Sequence, residues 1–230
     1  MVDIQYFGHS FFRVGFPDRN ILIDPFINST NNTVDFKRLI QCGAKKKDLC
    51  NIAMILVTHE HFDHFDKATI EDIVAKENCC VVAHDHILSE LDVPIRFKAP
   101  IRMDQSLCLR NINIKALSAH HPNAFYPVGF LLEFENQRVF HAGDTALTNS
   151  FNEIKTDIAM LPIGGTYTMD CVDAVRAVKT MKPKYVIPMH FGTFSMIEQD
   201  PKEFKQRIEK SVLKTKAVVL KPGQKIKIKL

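Results

Sequence analysis

The sequence is short of most features that would mark a secreted, membrane-bound or nucleic-acid-binding chain. Its six cysteines, at 42, 50, 79, 80, 108 and 171, include no C-x-x-C pair. Cys79 and Cys80, adjacent at the start of the apolar "CCVVA", read as reduced, buried small hydrophobes of a cytoplasmic protein rather than part of a disulfide framework. No apolar run approaches the roughly 18 residues of a membrane span, so no membrane partner is expected. The opening stretch, "MVDIQYFGHSFFRV", lacks a basic segment followed by an apolar one, so no signal peptide is expected. Charge of one sign is also scarce. The net charge is +4 and the basic residues are dispersed, too weak a balance to argue by itself for nucleic acid, which is not the expected partner. The densest cluster, Lys45 to Lys47, reads as a solvated loop. Low-complexity tracts, Pro/Gly/Ser-rich linkers and strict repeats are missing. What remains is 230 residues, 46% hydrophobic, enough for one globular domain over 1–230.

Short strands dominate the first and central parts. "DIQYFGHSFFRVGF", "RNILIDPF", "NIAMILVT" and "CCVVAH" carry β-branched and aromatic residues, the last two as the continuous apolar runs of buried strands. Residues 28–36 form a polar loop. "QSLCLRNINIKALSA", "VGFLLEFENQRVFHAG", "DIAMLPIGG" and "KYVIPMH" also read as strands, with a hairpin turn near Asn136-Gln137. Helices are expected after Asp66, Asp170 and Asp200, each a cap, the last followed by Pro201 at the first helical position. "HILSELD" suits a short helix, and "KIKIKL" an edge strand whose lysines discourage sheet addition. "NIAMILVTH" and "DIAMLPIGG" look alike, as two related halves would.

The chemistry gathers where strands run out. "VTHEHFDHFD" contains H-x-H-x-D-H: His59, His61, Asp63 and His64. Four such side chains in six residues cannot share one face of a strand. A loop beyond a strand can curl them so that His59 and His61 hold one ion while Asp63 and His64 turn to a second. Imidazole with carboxylate suits zinc first, with manganese, iron and nickel as alternatives. Further donors follow at later strand ends: His120 and His121 in "LSAHHPN", Asp144 in "VFHAGDT", His190 in "VIPMHFGTF". Around them, His9 is a candidate hydrogen-bond donor or substrate contact. Asp24 is a candidate for orienting a ligand histidine through its free ring nitrogen. His141 stands just before the Asp144 turn and is expected behind it. Backbone N–H groups at Gly164, Gly165 and Thr166 either hold an anionic substrate group or form a plain tight turn. His84 and His86 follow a different strand and read as surface or helix-entry residues.

"GHSFF", "ILIDPF", "VTHEHFDH", "VFHAGDTAL", "LPIGGTYTMD" and "PMHFGTF" together resemble the metallo-β-lactamase-fold hydrolases over nearly the whole chain. The likeness is strongest to the small branch of metal-dependent hydrolases akin to ascorbate-6-phosphate lactonase. It implies an α+β fold, a four-layer αββα sandwich with a dinuclear site at one edge. It implies a first metal on His59, His61 and a histidine of the "AHH" stretch, a second on Asp63, His64 and His190, and Asp144 bridging both. His121 is preferred over His120, because the family's P-A-x-H pattern aligns with Ser118 to His121. The activity implied is hydrolysis. Two divalent metal ions lower the pKa of water from 15.7 to roughly 7, and the hydroxide attacks an ester, lactone or related small molecule. Asp144 fixes the metal spacing and Asp63 orients the nucleophile.

Other readings on this fold are a phosphodiesterase or nuclease and a non-catalytic metal-binding relative. A Gly-rich basic RNA-gripping insertion is missing, which weighs against the first. The retained donor set weighs against the second. A homo-oligomer is compatible with the sequence.

Overall fold

The computed structural model describes residues 1–28, 36–211 and 214–229. Most of the expected 28–36 loop lies outside the described residues. The chain opens with β1 (Val2–Gly8), β2 (Phe11–Phe16), β3 (Arg19–Ile23) and β4 (Ile52–Leu56), followed by α1 (Lys67–Glu77). Next come β5 (Cys80–Ala83), α2 (Asp85–Glu90) and β6 (Lys98–Pro100). A second series runs through β7 (Ser106–Leu109), β8 (Ile112–Ser118), β9 (Val128–Phe134), β10 (Gln137–His141) and β11 (Ile158–Pro162). It continues through α3 (Cys171–Met181), β12 (Tyr185–Met189), α4 (Pro201–Glu209) and β13 (Lys216–Ala217). The last strand, β14 (Lys225–Ile228), returns to pair with β1.

These strands make two sheets, ordered β14-β1-β2-β3-β4-β5-β6 and β13-β12-β11-β10-β9-β8-β7. Each sheet is antiparallel at one end and parallel at the other. The change falls at β3–β4 in the first and β10–β11 in the second. Strand alternation explains the layering. In β3, Ile21 and Ile23 join the core shared with the second sheet. Leu22 between them joins the cluster under α1 and α2. β4 divides in the same way, with Met54 and Leu56 to one side and Ile55 to the other. Both faces of these strands are therefore covered, which is why their sequences read as unbroken apolar runs. α3 and α4 cover the second sheet through Ala174, Val178, Phe204 and Ile208. The layers run helix, sheet, sheet, helix.

The helix starts obey the capping logic. Asp66 accepts from the Thr69 N–H, Asp170 from Asp173 and Asp200 from Lys202, with Pro201 at the first position. His84 caps α2, accepting from the His86 N–H. The stretch "QSLCLRNINIKALSA" differs from its reading as one strand. Arg110 and Asn111 both take positive φ, 49° and 62°, and fold it into the β7–β8 hairpin. Two successive left-handed residues are what a two-residue hairpin of this twist demands. The other hairpin turns at Glu135-Asn136, one residue earlier than expected. β14 is an edge strand with Lys225 exposed.

Phe130, fully buried on β9, lies between the sheets. Phe130→Ala is expected to cost about 3–5 kcal/mol and to lower the Tm by roughly 6–20 °C. Ile95→Ala, at a position 82% exposed, should change stability by less than about 0.5 kcal/mol. Thermal unfolding of the two variants checks the contrast.

Candidate metal centre

Seven side chains from four strand ends meet at one edge of the sandwich. His59, His61, Asp63 and His64 occupy the loop between β4 and α1; His121 follows β8, Asp144 follows β10 and His190 follows β12. The H-x-H-x-D-H segment curls tightly, the His64 and Phe65 N–H groups both donating to the His61 carbonyl. That turn sends neighbouring side chains in different directions.

Three imidazoles form one cluster. His61 Nδ1 lies 3.1 Å from His59 Nε2 and 3.0 Å from His121 Nε2. The opposite nitrogen of each ring faces an oxygen. His61 Nε2 is 3.3 Å from the Asn123 carbonyl, and His121 Nδ1 is 3.2 Å from the Tyr167 carbonyl. His59 Nδ1 is 3.0 Å from Thr58 Oγ1, whose own hydrogen goes to Asp24. Carbonyls accept only, and a hydroxyl that has spent its hydrogen can only accept. Each outer nitrogen therefore carries the proton, and three lone pairs converge on one point. Burial pushes the His59 imidazole well below its usual pKa and lowers that of His121, so both rings are neutral and able to ligate a cation.

The second cluster holds Asp63, His64 and His190, with His9 beside them. His64 donates from Nδ1 to Asp24 Oδ2 at 2.7 Å, leaving Nε2 aimed inward. Burial would lower the His64 pKa, but Asp144 and Asp24 on either side raise it well above normal. The carboxylates thus demand positive charge at this ring, and a cation at Nε2 would meet that demand. Asp144 stands between the clusters. Its Oδ2 is 2.8 Å from His190 Nε2, 3.4 Å from His64 Nε2 and 3.9 Å from His121 Nε2. Burial would raise its pKa, but His190 and His64 hold its carboxyl well below the usual carboxylate range. His64 Nε2 and Asp144 Oδ1 are buried without a hydrogen-bond partner. Unpartnered buried atoms are costly. Together with the converging lone pairs, they fit two divalent cations. His59, His61 and His121 could hold one; Asp63, His64 and His190 could hold the other.

The supporting residues divide. His9 lies 3.0 Å through Nε2 from Asp63 Oδ2, and burial lowers its pKa to about 4, so it donates as a neutral ring. Burial would raise the Asp63 pKa, but the His9 bond and nearby histidines hold it far below its usual value. Asp24 accepts from the Thr58 N–H and hydroxyl as well as from His64. His141 touches no donor of either cluster. It hydrogen-bonds the Ser10 carbonyl and accepts from the Gly143 N–H, which sets the turn carrying Asp144. Gly143 has φ +62°, and a Cβ there would come within 2.7 Å of the Val128 carbonyl. His120 points outward and is exposed, whereas His121 is 7% exposed. The Gly165 N–H donates to the Met169 carbonyl, 3.1 Å away. That corrects the anion-holding alternative for this residue: its donor is spent within a tight turn. Thr58, Asn123 and Tyr167 went unread in the sequence. The last two act through carbonyls, which side-chain identity does not reveal.

A model of the beta-lactamase superfamily domain matches residues 3–190. The chain belongs to the beta-lactamase superfamily. A UPF0173 metal-dependent hydrolase from Staphylothermus marinus is 36% identical, over 97% of this chain and 98% of its own. One from Pyrobaculum calidifontis is 32% identical over 99% and 100%. Among solved structures, Igni18, a metallo hydrolase from Ignicoccus hospitalis, superposes with a TM-score of 0.85 at 28% identity, covering 100% and 99%. The protein is thus a metal-dependent hydrolase with the metallo-β-lactamase fold. Among the described residues, no helix is long and apolar enough to cross a membrane.

Asp24→Asn keeps the volume but replaces an acceptor oxygen with a donor. It is expected to weaken zinc affinity by roughly 10–100-fold, read by competition with a chromogenic chelator. His141→Ala, which removes bonds to the Ser10 carbonyl and the Gly143 N–H but none to a metal donor, should weaken it less.

Proposed function

We propose that this hydrolase holds two divalent cations, zinc first among them, and cleaves an ester- or lactone-type small molecule. The observation that supports this best is the proton arrangement of the first cluster. Its three imidazoles each spend their outer N–H on an oxygen and turn a lone pair inward. In this reading His59, His61 and His121 take one cation, Asp63, His64 and His190 the other, and Asp144 contacts both. Nitrogen-rich donors with two or three carboxylate oxygens suit zinc, while manganese, iron and nickel accept the same set.

Bound there, such cations supply Lewis acidity and lower the pKa of water to roughly 7. The chain's own groups do the rest. Asp63 lines the cavity above the site with one oxygen held by His9. Because its carboxyl stays ionised, it accepts a hydrogen bond from the attacking water and orients it rather than storing its proton. Asp144, buried and ionised, keeps the two clusters at fixed separation. Asp24, behind His64 and Thr58, holds two of the rings in the required tautomer.

Elemental mass spectrometry of gently purified protein is expected to find close to two metals per chain. Asp144→Ala should lose most of both, and His121→Ala about one. His120→Ala should lose none. Ester or lactone hydrolysis should vanish on chelation and return with added zinc. Fewer than one metal per chain after reconstitution with zinc and manganese would overturn the two-cation reading.

A further inference from the structure

Five of the metal donors, His61, Asp63, His121, Asp144 and His190, form the floor of a cavity of about 280 Å³, just below the usual span of ligand sites, roughly 300–1,000 Å³. Its walls are mainly Phe36, Phe62, Phe194, Met196, Ile197 and Tyr167, with Pro122 and Asn123 at one side. Three of these phenylalanines interlock. Phe36 meets Phe62 edge-on at 5.4 Å and Phe194 at 5.8 Å, and Phe62 lies 6.0 Å from Phe194. Phe26 packs behind Phe62 and Phe194. Edge-to-face packing of this kind fixes the wall before any ligand arrives. Among the described residues, no lysine or arginine lines the cavity. Residues 29–35, which precede Phe36, contain neither type. Arg38 lies nearby, but its guanidinium stacks over Phe26 and donates to the Phe26, Ile27 and Ile40 carbonyls.

We propose that the site selects an uncharged substrate, in which the carbonyl to be cleaved lies over the metal donors and a compact apolar group lies against the Phe36–Phe62–Phe194 wall. This rests on the hydrolase reading above and adds the class of substituent. A distal phosphate or carboxylate would leave water for an apolar wall with no counter-charge, which is costly. This sets the chain apart from the phosphorylated lactone that its family resemblance suggests. A distal ammonium fares no better. The rings turn edges and faces to one another rather than around an open centre that could hold it.

Binding and turnover separate the two ideas. Calorimetry on the zinc-loaded protein would use γ-lactams with side chains of one to seven carbons, isosteres whose amide resists cleavage. Turnover would use the matching γ-lactones. A lactam carrying a terminal phosphate and one carrying a trimethylammonium complete the series. Kd is expected to fall by up to roughly fourfold per added methylene until the wall is filled, then to level off. Both charged ligands should bind at least tenfold more weakly than an uncharged one of equal size. Phe62→Ala should flatten the chain-length dependence and Phe62→Leu should keep it, both with unchanged zinc content. A Kd indifferent to chain length, or tighter binding of either charged ligand, overturns the proposal. Chain-length-dependent binding of the lactams without cleavage of any lactone supports the wall assignment and sinks lactone hydrolysis instead.

Discussion

The buried carboxylate of Asp24 is the constraint on which the site depends. It is fully out of water and accepts from the Thr58 N–H, the Thr58 hydroxyl and the His64 ring. An ionised carboxylate stripped of water costs several kcal/mol unless hydrogen bonds replace the solvent. Here the three donors come from one loop. Satisfying Asp24 therefore fixes that loop, the tautomer of His64 and, through the committed Thr58 hydroxyl, the tautomer of His59. The arrangement also asks for strain. Asp24, His9 and His190 all have φ between 49° and 59°, a left-handed conformation costing of order 1–3 kcal/mol each outside glycine. All three sit where a strand has just ended, and the sheets behind them hold the conformation in place.

The two sheets explain why the donors meet. Both change from antiparallel to parallel pairing at corresponding places, so β3 matches β10, β4 matches β11 and β5 matches β12. Asp24 follows β3 and Asp144 follows β10. His59 follows β4, and the glycine turn at Gly164 follows β11. The likeness of "NIAMILVTH" to "DIAMLPIGG" falls on matching strands, β4 and β11. Parallel strands present their C-terminal ends at the same edge, and there both halves deliver polar side chains to one place. The chemistry is assembled by topology, and the apolar runs of the strands supply the burial that makes it work.

Much of this was legible in the sequence because it rests on local rules. The three aspartate caps follow from one side chain and the next turn's free N–H groups. H-x-H-x-D-H announces a curled loop because no strand can use it. Asp24 stood out as a carboxylate closing an apolar strand. Other features depend on contacts between distant segments. The choice between His120 and His121 turns on which side of the loop faces Asp144, and only the folded chain brings His121 beside His61 and Asp144 while leaving His120 exposed. Gly165 offered a free N–H in the sequence, but Met169 four residues on takes it up. The single strand read at 105–119 was divided by Arg110 and Asn111, two residues without the glycine that usually signals such a turn. The aromatic wall was the largest omission. Its members come from separate loops, and each phenylalanine alone looks like ordinary core.

The most direct test of the account is an anomalous difference map, recorded at the zinc absorption edge, from a crystal grown with zinc. The account predicts two peaks. One lies among His59 Nε2, His61 Nδ1 and His121 Nε2, the other among Asp63, His64 Nε2 and His190, with Asp144 between them. A single peak elsewhere, or none while the three imidazoles of the first cluster hydrogen-bond one another, would contradict it.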